Sequence, residues 1–180
     1  MARLPKAAVA SLFAAREAEV SGLFPRRQQV SWVPVLPSGD TKFRLGVLED
    51  GDWAIEDDEG LRRLSAHSSY LWGLALLEHP IGQLRTELRT RSESWQLTFD
   101  LAERFPYSEL IRAGLDQKSD YWAQLAFAWL DGAPGIQKEQ FRDTIVGVVD
   151  SRWGSQKLRH RAKRELRNLS DPPDTSAAPD

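Results

Sequence analysis

The sequence predicts a mainly α protein: an irregular stack of antiparallel helices, α-solenoid-like, carrying a small N-terminal β-hairpin. Three observations predict it. Alternating apolar residues of the strand kind occur only before residue 58; beyond it, apolar residues recur at three-and-four spacing; and prolines or glycines divide that helical stretch into short segments. The implied organisation is an appendage over 1–58, a helical-repeat-like domain over 59–169, and a tail from Ser170, reading DPPDTSAAPD after it, that has nothing to bury and is expected to be disordered.

The chain of 180 residues is long enough for a domain with a real core plus a small appendage. Hydrophobic residues at 41% and charged residues at 28% are ordinary for a soluble protein, and no apolar run approaches the ~20 residues of a membrane-spanning helix. The net charge of −2 argues against whole-chain attraction to nucleic acid, so any electrostatic function must be local. The absence of cysteine removes disulfides, thiolate metal sites and cysteine nucleophiles together, and fits a cytoplasmic setting. Arginine far outnumbers lysine, which points to a high-GC bacterial genome because most arginine codons are GC-rich.

Behind Pro5, Val9, Leu12, Phe13 and Val20 fall at helical spacing, so the alanine-rich start reads as an amphipathic helix rather than a signal peptide. Ser21 to Gln28 reads as a connector. Val30, Trp32, Val33 and Val35 alternate, as do Phe43, Leu45 and Val47, with turn formers Pro37, Ser38, Gly39 and Asp40 between them, giving the hairpin. Pro34 cannot donate a ladder bond, so its strand is expected at an edge or to be short. Trp53 and Ile55 are candidates for a third strand. Asp57 or Asp58 is expected to cap a short turn through Leu61 and Leu64. Ser68 to Glu78 is apolar nearly all round and calls for burial between neighbours. Helices follow at Leu84 and Leu88, at Ser92 to Arg104, at Leu110 to Leu115, and from Ser119 to Leu130, where Gly132, Pro134 and Gly135 stop the last. Phe141, Ile145, Val148 and Val149 mark another, and Leu158, Ala162, Leu166 and Leu169 the final one.

Four of these segments share a register. Counting from Ser68, Ser92, Ser119 and Ser155, the third residue on is Leu71, Trp95, Trp122 or Leu158, and the seventh is Ala75, Phe99, Ala126 or Ala162. A capped start followed by a large and then mostly a small inward residue is what closely stacked helices need. The last unit, Ser155, Leu158, Arg159, Ala162, Leu166 and Leu169, resembles the helices of HEAT-like repeats, mainly over residues 119–169. The resemblance implies an α-solenoid-like stack and a protein that binds other macromolecules; it names no partner.

The strongest local signal is basic. Arg152, Lys157, Arg159, Arg161, Lys163, Arg164 and Arg167, with His160 among them, face one acid, Glu165. On a helix, Lys157, Arg161 and Arg164 share one side and Arg159, Lys163 and Arg167 another, leaving Leu158, Ala162 and Leu166 for the core. This cluster, with Trp153, is the candidate partner-binding surface. It reads as a solvated outer face, as a dock for an acidic protein, or as a nucleic-acid contact; no aromatic residues interleave to stack bases. Trp72, Trp95, Trp122 and Trp129 sit where core residues belong, whereas Trp32, Trp53 and Trp153 are candidate anchors if exposed.

Other signals point away from chemistry. The acidic run Glu49, Asp50, Asp52, Glu56, Asp57, Asp58 and Glu59 matches no calcium-loop or paired-carboxylate spacing and reads as a solvated turn plus a helix N-terminus. His67, His79 and His160 are too scattered for a metal site. Nucleophile elbows, phosphate loops and dinucleotide glycine motifs do not occur. The sequence therefore reads as a non-enzymatic protein-binding module, an adaptor or an immunity-like inhibitor, with no cofactor. The alternatives are a nucleic-acid-binding accessory protein and an enzyme whose site leaves no linear motif.

Overall fold

The computed structural model describes residues 3–26, 28–36, 43–65, 67–133 and 136–170. The expectations for the 37–40 loop, for Pro134 and Gly135, and for the tail after Ser170 lie outside the described residues.

Helix α1 (Lys6–Ala15) forms behind Pro5 and buries Ala8, Val9 and Leu12. Five strands follow: β1 (Glu19–Leu23), β2 (Gln28–Leu36), β3 (Arg44–Leu48), β4 (Trp53–Asp57) and β5 (Gly60–Leu64). Successive strands pair antiparallel, and β5 closes on β1 in parallel through Leu61 opposite Leu23, making a closed barrel. The small hairpin is therefore corrected to a complete mixed barrel, and the mainly α class to an α/β one.

Charge explains why the sequence pattern does not disclose β1 and β5. The sequences of β1 (EVSGL) and β5 (GLRRL) lack apolar alternation because their polar residues are paired across the barrel. Arg44 of β3 binds Glu56 of β4 and, at 2.8 Å, Glu19 of β1; Ser21 donates to Glu56 at 2.9 Å. At the other end Arg63 of β5 pairs with Asp50 and Asp52. Much of the acidic run is thus divided among arginines: Arg62 takes Asp57 and Glu59, and no helix begins there. Burial works against ionisation of Asp50, yet hydrogen bonds from Arg63 and from the Asp52 N–H outweigh it and hold the carboxyl below its ordinary range.

Pairing fixes which side chains point inward, since residues opposite one another share a face. One face carries Trp32, Leu48, Ala54 and Leu61, all buried, with Leu23 and Val30 against them; this is the barrel's interior. The other face carries Val33, Val35, Leu45, Val47, Trp53, Ile55 and Leu64, which belong to the main core shared with the helices. Pro34 lies in a nine-residue strand, not the short one expected, and the pairing with β3 shifts register between Pro34 and Leu36. The ladder with β1 stops at Trp32, so Pro34 stands where β2 has a neighbour on one side only.

A 3-10 helix (His67–Glu78) leaves the barrel and leads into α2 (Ile81–Ser94), α3 (Leu101–Arg104), α4 (Tyr107–Asp116) and α5 (Asp120–Gly132). A 3-10 turn (Lys138–Phe141), α6 (Arg142–Val149) and α7 (Gln156–Ser170) complete the chain. An aromatic chain stitches the layers together. The Trp53 indole donates to the Arg104 carbonyl at 3.1 Å, Trp53 meets Phe105 edge-on at 5.0 Å, Phe105 meets Tyr107, and Tyr107 meets Trp129, whose indole donates to the His79 carbonyl.

The four-serine register does not describe four equivalent helices. Ser92 is near the end of α2, buried, donating to the Leu88 carbonyl and accepting from the Leu101 N–H; Asp100 caps the next helix instead. Ser119 precedes α5 without a side-chain cap bond, and of the described starts only Ser155 accepts one, from the Leu158 N–H at 3.2 Å. Of the register's small residues, Ala75 is half-buried, while the two in α5 and α7 are inward. Ala126 and Ala162 are fully buried, and a methyl group added at Gly114 of α4 would lie 2.9 Å from the Ala126 Cβ, which shows how closely α4 and α5 approach. Ala126→Trp is therefore expected to cost ~1–3 kcal/mol through overpacking, visible as a lowered midpoint in a thermal melt.

Candidate interaction surface

Helix α7 is amphipathic in the manner its sequence predicts. Leu158 and Ala162 are buried, and Leu166 and Leu169 pack half-buried against the core. The sole acid, Glu165, also points inward: it is 4% exposed and lies 3.5 Å from Lys138 Nζ. The helix is fixed at its start from both sides. Ser155 caps it, and the Asp120 carboxylate of α5 accepts the Ser155 N–H at 2.6 Å, so the bonds from Ser155 hold that carboxyl below its ordinary range.

The cations predicted as one surface divide into two groups. Arg159 bonds the Gly154 carbonyl of its own helix entrance. Arg161 reaches α5, where it pairs with Asp131 at 2.7 Å, donates to the Gln124 carbonyl and lies 5.2 Å over the Phe127 ring. These two arginines brace the fold. Lys157, Lys163, Arg164 and Arg167, together with Arg152 before the helix, are exposed and make no ion pair within 4 Å among the described residues. Trp153 is half-buried against the core rather than offered to solvent.

Between α5 and α7 lies a cleft of about 630 Å³ lined by Gln124, Gln156, Lys157, Leu158, His160, Arg161 and Arg164. No acid lines it, so it is a concave, positively charged site with neutral amides at its wall. The basic cluster was legible in the sequence; the cleft was not, because Gln124 and the restraint on Arg161 come from α5, 37 and 30 positions from Arg161.

The sequence missed a second exposed feature. Phe24 and Trp72 are 45% and 48% exposed and meet edge-on, with Leu71 beside them at 42%. The buried Arg62 guanidinium lies 4.1 Å over Trp72 and 5.1 Å over Phe24. Trp72 is therefore not the core residue its spacing implied. The anchor candidates Trp32 and Trp53 are fully buried, because both lie in the barrel wall and pack on either side of it.

Among the described residues, no group of three or more histidines and carboxylates is placed to hold a metal ion, and no helix is long and apolar enough to cross a membrane. Compared with known proteins, the chain matches no family model, no curated sequence and no solved structure.

Proposed function

We propose that this chain is a cytoplasmic, non-enzymatic binding module, an adaptor or an immunity-like inhibitor, that docks an acidic protein surface along α7. The observation that carries the reading is the cleft between α5 and α7, which no acid lines and where Lys157 and Arg164 make no ion pair within 4 Å among the described residues. Solvated surface lysines and arginines are common, but here they border a concavity and are held on a helix anchored at its start, at Arg161 and along its apolar face. Positive charge so fixed accelerates and orients an acidic partner's approach. A protein is favoured over single-stranded nucleic acid because no Phe, Tyr or Trp side chain lines the cleft to form a base-stacking platform.

The reading selects the substitutions that test it. Lys157→Glu with Arg164→Glu should change the melt little, since both residues are exposed and neither makes an ion pair within 4 Å among the described residues, whereas Arg161→Glu should lower it more by losing Asp131 and Phe127. Capture of partners from the native host, with and without nuclease, should give a nuclease-resistant protein that the Lys157→Glu, Arg164→Glu variant no longer retains. Binding to random duplex should stay negligible at physiological salt. Duplex binding that falls with salt, with a slope reduced by about one for each neutralised cation, would establish the nucleic-acid alternative instead.

A further inference from the structure

The exposed basic side chains of α7 are spaced in a way that specifies the shape of what binds them. Lys157, His160, Arg164 and Arg167 stand at i, i+3, i+7 and i+10, and all four are exposed. That alternation of three and four is the spacing by which one helix faces another along a shared seam. Arg161, the nearest cation flanking the stripe in the cleft, is turned away to Asp131 and Phe127, and Lys163 lies to its far side. The helix end is already filled, since Asp120 accepts the Ser155 N–H. An approaching anion therefore meets the side of α7 and not its N-terminus.

We infer that the partner presents an acidic helix, with carboxylates at the same alternating spacing, lying lengthwise along α7. The inference rests on the reading that α7 docks an acidic protein. Along the axis the four basic positions are separated by about 4.5, 6 and 4.5 Å. An acidic helix with glutamates at i, i+3, i+7 and i+10 repeats those intervals and brings each carboxylate opposite a basic side chain. An extended acidic strand presents one face only every ~6.6 Å, so it drifts out of step within the stripe's length of about 15 Å. The cleft supplies room beside the first two turns, and its neutral amides, Gln124 and Gln156, add no charge repelling a carboxylate.

The test uses the full chain and three fluorescein-labelled 21-residue peptides of identical charge. One places glutamates at the alternating spacing on an alanine-rich helix, the second spreads the same glutamates round the helix, and the third is the first with a central proline. Anisotropy titrations at low and physiological salt should show the first binding about tenfold more tightly than the others, the sum of several modest ion pairs. That advantage should vanish in the Lys157→Glu, Arg164→Glu variant and persist in Lys6→Glu, an exposed position of α1 outside the basic cluster; if the double reversal unfolds the chain, glutamine at both positions replaces it. Equal affinity for all three peptides, or no measurable binding of the first, would overturn the helical partner, the former while leaving an acidic partner in place. Tighter binding of unrelated duplex DNA than of any peptide would overturn the underlying reading as well.

Discussion

Trp53→Ala is expected to destabilise the protein by ~3–5 kcal/mol, the range for removing a large buried aromatic side chain. Trp53 is fully buried at the join between barrel and helices. Its ring meets Phe105 at 5.0 Å, and its indole N–H is satisfied by the Arg104 carbonyl, so alanine leaves a cavity and removes that carbonyl's indole donor. The loss should be shared by both layers, because the outer face of β3, β4 and β5 and the inner faces of the helices form one continuous core. Urea unfolding followed by far-ultraviolet circular dichroism and by tryptophan fluorescence should therefore shift to lower denaturant in a single coincident transition. Two separated transitions in the variant would show that the barrel holds without the helices.

The same join explains how much of the fold the sequence discloses. Helices α1, α5, α6 and α7 are legible because their buried residues recur at helical spacing, and β2, β3 and β4 because theirs alternate. Strands β1 and β5 are not. Val20 lies at helical distance from Leu12 yet points to solvent from β1, 67% exposed, while Arg62 and Arg63 occupy strand positions that apolar residues usually fill. Their stability comes from partners distant in sequence, such as Arg44 with Glu19 and Arg63 with Asp50. A linear pattern records the side chain and not the partner, so a strand held by cross-barrel ion pairs looks like a polar loop.

The candidate site shows the same division. Seven cations on and before α7 can be counted from the sequence, and helical geometry separates the basic side from Leu158 and Ala162. Which cations are available cannot be counted so. Arg161 and Arg164 are alike in the sequence, yet Asp131 of α5 takes Arg161 and leaves Arg164 exposed. Trp72 and Trp32 exchange their expected places for a related reason. Trp72 sits on a 3-10 helix, where residues three apart share a face: Tyr70, Gly73 and Leu76 are buried along one, and Trp72 stands with Ala75 and the exposed Glu78 along another, whereas Trp32 fills the barrel that the predicted hairpin lacked.

Gly46→Val should be severely destabilising, costing at least the ~3 kcal/mol at the upper end of ordinary overpacking. Gly46 is on the inward face of β3, paired with Pro34 and Ala54. A Cβ there would stand 2.5 Å from the Trp32 ring and 2.5 Å from the Val33 carbonyl oxygen. Neither neighbour has room to give. Trp32 is fully buried among Leu48, Ala54 and Leu61 with the Arg44 guanidinium 5.0 Å over its ring, and the carbonyl belongs to the strand backbone. A companion pair apportions the cost. Trp32→Leu removes the ring, so Gly46→Ala combined with it should be less destabilised than the sum of the two single variants by ~0.5–3 kcal/mol, the coupling typical of residues in contact. The remainder belongs to the carbonyl, which no side-chain change relieves. Strict additivity in denaturant titrations would mean that the ring is not the obstacle and that the strand backbone alone demands glycine.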